Sequence, residues 1–328
     1  MSDLMGGIDI GGTTIDSVVL GPDRTVLGRD TRPTLVMAGR RLIDSVLESF
    51  SEALAAAGET IDQIAAVGVG VPGRVDPETG SVHTAVNLGI GEEGFPVGPE
   101  LAHALAVPVT VENDARVAAV GAADHYGDGT PVRHLVYLGL GTGVSAGILR
   151  DGQLVRGSHG LAGEIGHVPV FDDGAICSCG LVGCLETVIS GPAISKAWPQ
   201  VASDHARHMF AMAEEGREGA RRIADDVAKH VATAVQWLAA VHDPSLIVVG
   251  GGVAVSGGRA LADRVVAVLA SRVEASSLGR RLFDPARLRF ATGEVPIGAV
   301  GAAALAHQRF TTVLADRAIS HAETGGGT

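Results

Sequence analysis

His167, Cys177, Cys179 and Cys184 bring one imidazole and three thiols into the short stretch from Gly166 to Glu186, and these three cysteines are all that the 328-residue chain contains. One nitrogen and three sulfurs form a ligand set suited to tetrahedral Zn²⁺, with no position left for water, so such a site is structural. Gly180 and Gly183 supply the tight path that a metal knuckle needs. The plainer alternative is a cluster of reduced, buried thiols. A metal here would have a second consequence. Glu164 lies three residues before His167 and Glu186 two residues after Cys184, so fixing the loop fixes both carboxylates.

A different chemistry is written in Asp9-Ile10-Gly11-Gly12-Thr13-Thr14, a glycine and threonine turn between two β-branched runs. Glycines let backbone N–H groups approach phosphate oxygens, threonine hydroxyls add donors, and an Asp at the strand end can hold a hydrated Mg²⁺. A Walker loop is excluded, because no Gly-Lys-Ser/Thr follows and a strand comes next. Gly141-Thr142-Gly143 repeats the device, and Gly250-Gly251-Gly252 ends a third apolar run where backbone can lie against a nucleoside. Each of these turns alone also reads as a tight hairpin or a strand-to-helix turn. Val111-Glu112-Asn113-Asp114 places an amide and a carboxylate at a strand end. Asp114 there is either a helix N-cap or the acceptor of a hydroxyl proton while that oxygen attacks a phosphate, and one residue can do both.

The elements that must position these residues alternate between short β-branched runs and longer helical patterns, which predicts an α/β protein. Strands are expected at 5–10, 15–20, 64–71, 109–112, 134–140, 144–149, 246–249 and 288–291. Helices are expected at 40–57, where Ile43, Leu47, Phe50 and Leu54 share a face and Gly58 is a stop, at 115–123 and at 218–241. The segments beginning at Asp9 and at Gly139 share one plan of strand, glycine turn, strand, polar turn and strand. This internal similarity predicts two related domains facing each other across a cleft, with the boundary near Asn113–Asp114. The expected division is 1–113, completed by about 301–320, then 114–300, with 321–328 as a disordered tail.

Composition narrows the function classes. A net charge of −12 lacks the basic footprint of a nucleic-acid binder. No apolar run reaches the roughly 18 residues of a membrane span. An odd number of cysteines and the lack of a charged-then-apolar leader predict a reducing, cytoplasmic setting.

The spacing Gly166-His167, nine residues, Cys177-x-Cys179-Gly180-x-x-Gly183-Cys184-x-Glu186 resembles the zinc signature of the ROK family of repressors, open reading frames and kinases. Asp9–Thr14, Glu112–Asp114, Gly141–Gly143, Gly163–His167 and Gly250–Gly252 fall in that family's order, so the resemblance covers nearly the whole chain. It implies the two-domain actin-like ATPase fold of hexokinases, related to ribonuclease H, with an interdomain cleft. It implies ATP and Mg²⁺ as well as structural Zn²⁺. It makes Asp114 the catalytic base and Asn87, Asn113, Glu164, His167 and Glu186 sugar contacts. Asp9, Gly11, Gly12, Thr13, Thr14, Gly141, Thr142, Gly143, Gly250, Gly251 and Gly252 become the nucleotide-binding set. His167 would hold zinc with one ring nitrogen and face the sugar with the other. The implied activity is ATP-dependent phosphorylation of a hexose, foremost glucose at O6. N-acetylmannosamine, N-acetylglucosamine or a cyclitol is the alternative acceptor, and a non-catalytic sugar sensor the alternative class. The zinc signature and glycine turns resemble the ATP-using rather than the polyphosphate-using members. A regulator would need a winged helix-turn-helix ahead of the first phosphate turn, and that turn begins within the first ten or so residues. The expected assembly is a homodimer or homotetramer. Three departures from the family's glucokinases stand out. Gly89-Ile90-Gly91-Glu92-Glu93-Gly94 follows Leu88 where an aromatic is usual, which predicts a pocket edge reshaped by Glu92, Glu93 and Phe95; Arg116 replaces Asn, and Ser145 replaces Gly.

Overall fold

The computed structural model describes residues 4–34, 39–127, 130 and 132–324. The chain begins with β1 (Leu4–Ile10), β2 (Thr14–Leu20), β3 (Val26–Pro33), α1 (Arg40–Ala57), β4 (Ile64–Val71), β5 (Arg74–Asp76), β6 (Ser81–His83), α2 (Val97–Leu105), β7 (Val109–Asn113) and α3 (Asp114–His125). It continues through β8 (Leu135–Leu140), β9 (Val144–Arg150), β10 (Gln153–Leu154), α4 (Glu186–Ile189), α5 (Gly191–Ala197), α6 (His205–Glu214) and α7 (Glu218–His242). β11 (Leu246–Gly250), α8 (Gly252–Val273), α9 (Ser277–Leu282), β12 (Leu288–Phe290) and α10 (Ile297–Thr324) complete it.

Two compact units result, Met1–His125 with Pro296–Thr328, and Tyr126–Val295. Each is built on a five-stranded sheet of the same plan, ordered β3-β2-β1-β4-β7 in the first and β10-β9-β8-β11-β12 in the second. In both, the first three strands form an antiparallel meander and the last two add in parallel. The duplicated strand–turn–strand pattern of the sequence is thus one half of each sheet. Parallel pairing needs crossover connections, which the intervening helices supply.

In the first unit, successive side chains of β1 point to opposite faces, and the neighbours of Gly6 and Gly7 show what covers each. A Cβ at Gly6 would meet Phe50 of α1, and one at Gly7 would meet the Ala299 carbonyl of α10. Both sheet faces are therefore covered by helix, and this is why β4 reads as a continuous apolar run. α1 ends where expected, because Gly58 adopts the left-handed conformation with φ of 71°. In the second unit, Val227, Val231, Val235 and Leu238 of α7 and Leu261, Val265 and Leu269 of α8 share a core with Val136, Leu138, Ile247 and Val249 of the sheet.

The division differs from the one expected at Asn113–Asp114 and at 301. α3 packs on α10 and against β4 and β7, so it belongs to the first unit, and the chain leaves that unit only after His125 and returns at Pro296. The close fit of these two helices depends on Gly301, where a Cβ would collide with the Val117 carbonyl of α3. Of the expected tail, His321–Thr324 continue α10, and 325–328 lie outside the described residues. Among the described residues no helix is long and apolar enough to cross a membrane.

Candidate active site

In the second unit the loop between β10 and α4 folds into a knuckle. Val170 and Gly183 bond at 2.7 Å, Gly183 and Ala175 at 2.9 Å, and Cys177 and Leu181 at 2.8 Å, all through the backbone. Gly180 and Gly183 take positive φ values of 90° and 72° at the two bends. As a result the ligand atoms of His167, Cys177, Cys179 and Cys184 all lie within 4.8 Å of one another. A zinc tetrahedron with Zn–S of about 2.3 Å and Zn–N of about 2.0 Å has edges of about 3.8 Å between sulfurs and about 3.5 Å between sulfur and nitrogen. Cys179 and Cys184 are separated by 3.7 Å between sulfurs, and Cys177 Sγ stands 3.6 Å from His167 Nδ1. The four groups therefore fit a zinc ion. Burial, then the neighbouring thiols, push the Cys184 thiol up to about 12. A central cation reverses that preference, because a coordinating thiol is deprotonated.

Nδ1 is the ring nitrogen on the sulfur side, and His167 Nε2 lies 4.0 Å from Glu164 Oε2. A metal on Nδ1 leaves Nε2 as the N–H donor, aimed to the side where Glu164 stands. Glu164 and His167 are each about one-third accessible, at 39% and 32%. Glu186 begins α4. Its Oε2 accepts the Val144 N–H at 2.9 Å and its Oε1 lies 3.8 Å from Cys177 Sγ. The glycine turn Gly141–Gly143 joins β8 to β9, and Gly250 to Gly252 lead from β11 into α8.

In the first unit, the turn after β1 is closed by Gly11 N–H donating to the Thr14 carbonyl at 2.8 Å, and Thr34 Oγ1 donates to the Gly11 carbonyl at 2.8 Å. Gly12, Thr13 and Thr14 lie on this turn, with both threonines exposed. Asp9 stands at its base. Among the described residues Asp9 Oδ1 is buried without a hydrogen-bond partner. Burial, then Asp114, then Asp16 hold the Asp9 carboxyl well above the usual carboxylate range. A buried, unsatisfied carboxylate oxygen of this kind fits a hydrated Mg²⁺.

Asn113 and Asp114 stand where β7 becomes α3. The Asn113 side chain caps the helix, its Oδ1 accepting from Ala115 N at 3.1 Å and Arg116 N at 3.4 Å, while its Nδ2 donates to the Gly73 carbonyl at 3.2 Å. Capping thus falls mainly to Asn113. Asp114 Oδ1 accepts from Ala115 N at 2.8 Å. Desolvation raises the Asp114 carboxyl, opposed by hydrogen bonds to the backbone and by Arg116.

Three further residues matter to this site. Glu112 and Arg116 form an ion pair of 3.1 Å at 1% and 3% exposure, and Glu112 Oε1 also accepts the Asn113 N–H at 2.9 Å. Their i, i+4 spacing was a readable signal, but it straddles a strand end and a helix start. Gly298, in the first turn of α10, admits the Asp9 carboxylate, which a Cβ there would strike.

Asn87 is exposed on a single turn of 3₁₀ helix, Val86–Leu88, and no hydrogen bond among the described residues joins it to Asn113. Phe95, partly buried, pairs through its backbone with Val82 and packs against the first unit's core, while Glu92 and Glu93 are exposed.

Residues 5–309 match the ROK family. The chain is 32% identical over 321 residues to the glucokinase of Halalkalibacterium halodurans, covering 92% of this chain and 94% of that protein. It is 32% identical over 255 residues to the N-acetylmannosamine kinase of Citrobacter koseri, covering 76% and 84%. Among solved structures it is similar to a ROK family glucokinase from Streptomyces griseus in complex with glucose and AMPPNP, with a TM-score of 0.78, 29% identity and coverage of 93% and 99%.

Breaking the buried ion pair leaves an uncompensated charge beneath the Asn113–Asp114 turn. Arg116→Met is expected to destabilise the protein by about 3–5 kcal/mol, and the double variant Glu112→Gln/Arg116→Met by distinctly less. Chemical denaturation of the two variants beside the parent protein checks this.

Proposed function

The chain belongs to the ROK family, and on that premise we propose that it is an ATP-dependent sugar kinase whose acceptor is glucose, phosphorylated at O6. One observation carries the reading above the rest: the likeness, over 93% of the chain, to a ROK family glucokinase in complex with glucose and AMPPNP. The fold has the actin-like ATPase plan, with a glycine turn after the first strand of each sheet.

In the proposed reaction Asp114 accepts the proton of the sugar hydroxyl. The hydroxyl oxygen bonds to the γ-phosphorus of ATP as the bond to the bridging oxygen breaks and ADP leaves. Desolvation of Asp114 suits this role, because a carboxylate raised above its ordinary range is a stronger base. Asn113, fixed by its capping and Gly73 bonds, orients the acceptor beside it. Asn87, Glu164, His167 and Glu186 are the further sugar contacts. Nucleotide binding falls to the turns at Gly11, Gly12, Thr13 and Thr14, at Gly141, Thr142 and Gly143, and at Gly250, Gly251 and Gly252. Asp9 would hold a hydrated Mg²⁺, which supplies positive charge to the phosphoryl oxygens. His167, Cys177, Cys179 and Cys184 would hold a structural Zn²⁺ that fixes the His167 tautomer.

An N-acetylmannosamine kinase is the second reading. It is favoured by the likeness to the Citrobacter koseri protein and by the glycine-rich segment after Leu88, which carries exposed Glu92 and Glu93 in place of an aromatic.

A coupled ADP-release assay across hexoses, amino sugars and cyclitols tests the proposal. Turnover with glucose, and a product phosphorylated at O6, are expected. Turnover with N-acetylmannosamine but not glucose would move the assignment to the second reading, and no turnover with any polyol would remove the kinase reading. Asp114→Asn is expected to slow kcat by about 10² or more with sugar binding retained. Near-normal kcat in that variant would leave Asp114 a structural residue only.

A further inference from the structure

Glu164 and Glu186 flank the same knuckle, yet their surroundings differ. Glu164 faces His167, with 4.0 Å between Oε2 and Nε2. Glu186 instead reaches back to the hairpin that carries the second glycine turn. Its Oε2 accepts the N–H of Val144, the first residue of β9, at 2.9 Å. The carboxylate lies directly against the turn, since a Cβ on Gly143 would stand 2.9 Å from that same Oε2.

The other end of the turn is held from the same segment of chain. The Gly141 carbonyl accepts the Gly191 N–H at 2.8 Å, while Gly141 N–H closes the turn on the Gly143 carbonyl at 2.9 Å. Two bonds from outside the hairpin thus brace the turn, and both start within the stretch that follows Cys184. The corresponding turn of the first unit is braced differently. There Thr34 supplies both contacts, its hydroxyl to the Gly11 carbonyl at 2.8 Å and its N–H to the Thr13 carbonyl at 2.9 Å.

A carboxylate accepting from a backbone N–H makes a strong, directional bond. Glu186 stands two residues from Cys184, with Oε1 3.8 Å from Cys177 Sγ, so its position is linked to that of the knuckle. We propose that Glu186 is a positioning residue for the nucleotide: it holds Val144 N–H, and with it the Gly141–Gly143 turn, so that the metal knuckle shapes the phosphate-binding turn of the second unit as well as the sugar contacts. This rests on the kinase reading above. It separates the two glutamates, because the carboxylate that accepts the Val144 N–H is that of Glu186.

The test is nucleotide binding by calorimetry with Mg²⁺ and AMPPNP, on the full chain with its zinc content measured, and with no sugar present. Glu186→Ala removes the acceptor and is expected to weaken AMPPNP binding about tenfold or more. Glu186→Gln keeps an oxygen for Val144 N–H and is expected to stay within about threefold of the parent chain, and so is Glu164→Ala. Hydrogen exchange at residues 141–144 is expected to quicken in Glu186→Ala alone. Parent-like binding and exchange in Glu186→Ala would overturn the inference while leaving the kinase reading intact. Equal weakening in Glu186→Ala and Glu164→Ala would overturn it too, by showing a general disturbance of the loop. Absence of AMPPNP binding in the parent chain would remove the kinase reading and the inference with it.

Discussion

One imidazole nitrogen and three thiol sulfurs meet within 4.8 Å in the loop between β10 and α4, and Glu164 and Glu186 stand within three residues of these groups. Backbone bonds such as Val170 to Gly183 and Cys177 to Leu181 shape the loop, and the four ligand groups offer a further tie. The 3.6 and 3.7 Å separations are those of a zinc tetrahedron, and burial together with the neighbouring thiols opposes ionisation of Cys184. A zinc ion bound there would reverse that preference, because a coordinating thiol is deprotonated, and it would tie down Glu164 and Glu186, which stand within three residues of the proposed ligands.

The first unit solves the opposite problem. Its acidic groups are held by packed elements, and the difficulty is charge. Asp9, Glu112 and Asp114 stand close together at the ends of β1 and β7, with desolvation working against ionisation of Asp9 and Asp114. Arg116 offsets part of this from within the protein, through its pair with Glu112 and its field at Asp114. The remaining imbalance sits at Asp9, whose Oδ1 has no protein partner among the described residues. An arrangement that keeps carboxylates dry and under-compensated suits the binding of a cation and the removal of a proton.

The parts of this architecture that depend on local chemistry were legible in the sequence. The span 64–71 was readable because a strand covered on both faces is apolar throughout, and α1 because Gly58 can stop it. The knuckle was readable because it holds all three cysteines of the chain, close to His167. Contacts between distant segments were not. α3 joins the first unit through α10, and Gly301, which permits that contact, looks in sequence like any small residue on a helix. The Val144 N–H that donates to Glu186 was invisible for a simpler reason, since a backbone donor has no residue type.

The central claim is that a metal clip holds the sugar-binding groups of the second unit in place. Calorimetric titration of glucose into the zinc-loaded chain, and into chain stripped by a chelator and shown by circular dichroism to remain folded, tests it most directly. The account predicts binding to the loaded chain and an affinity weaker by about tenfold or more in the stripped chain. Equal glucose affinity in folded protein that contains no zinc would contradict it.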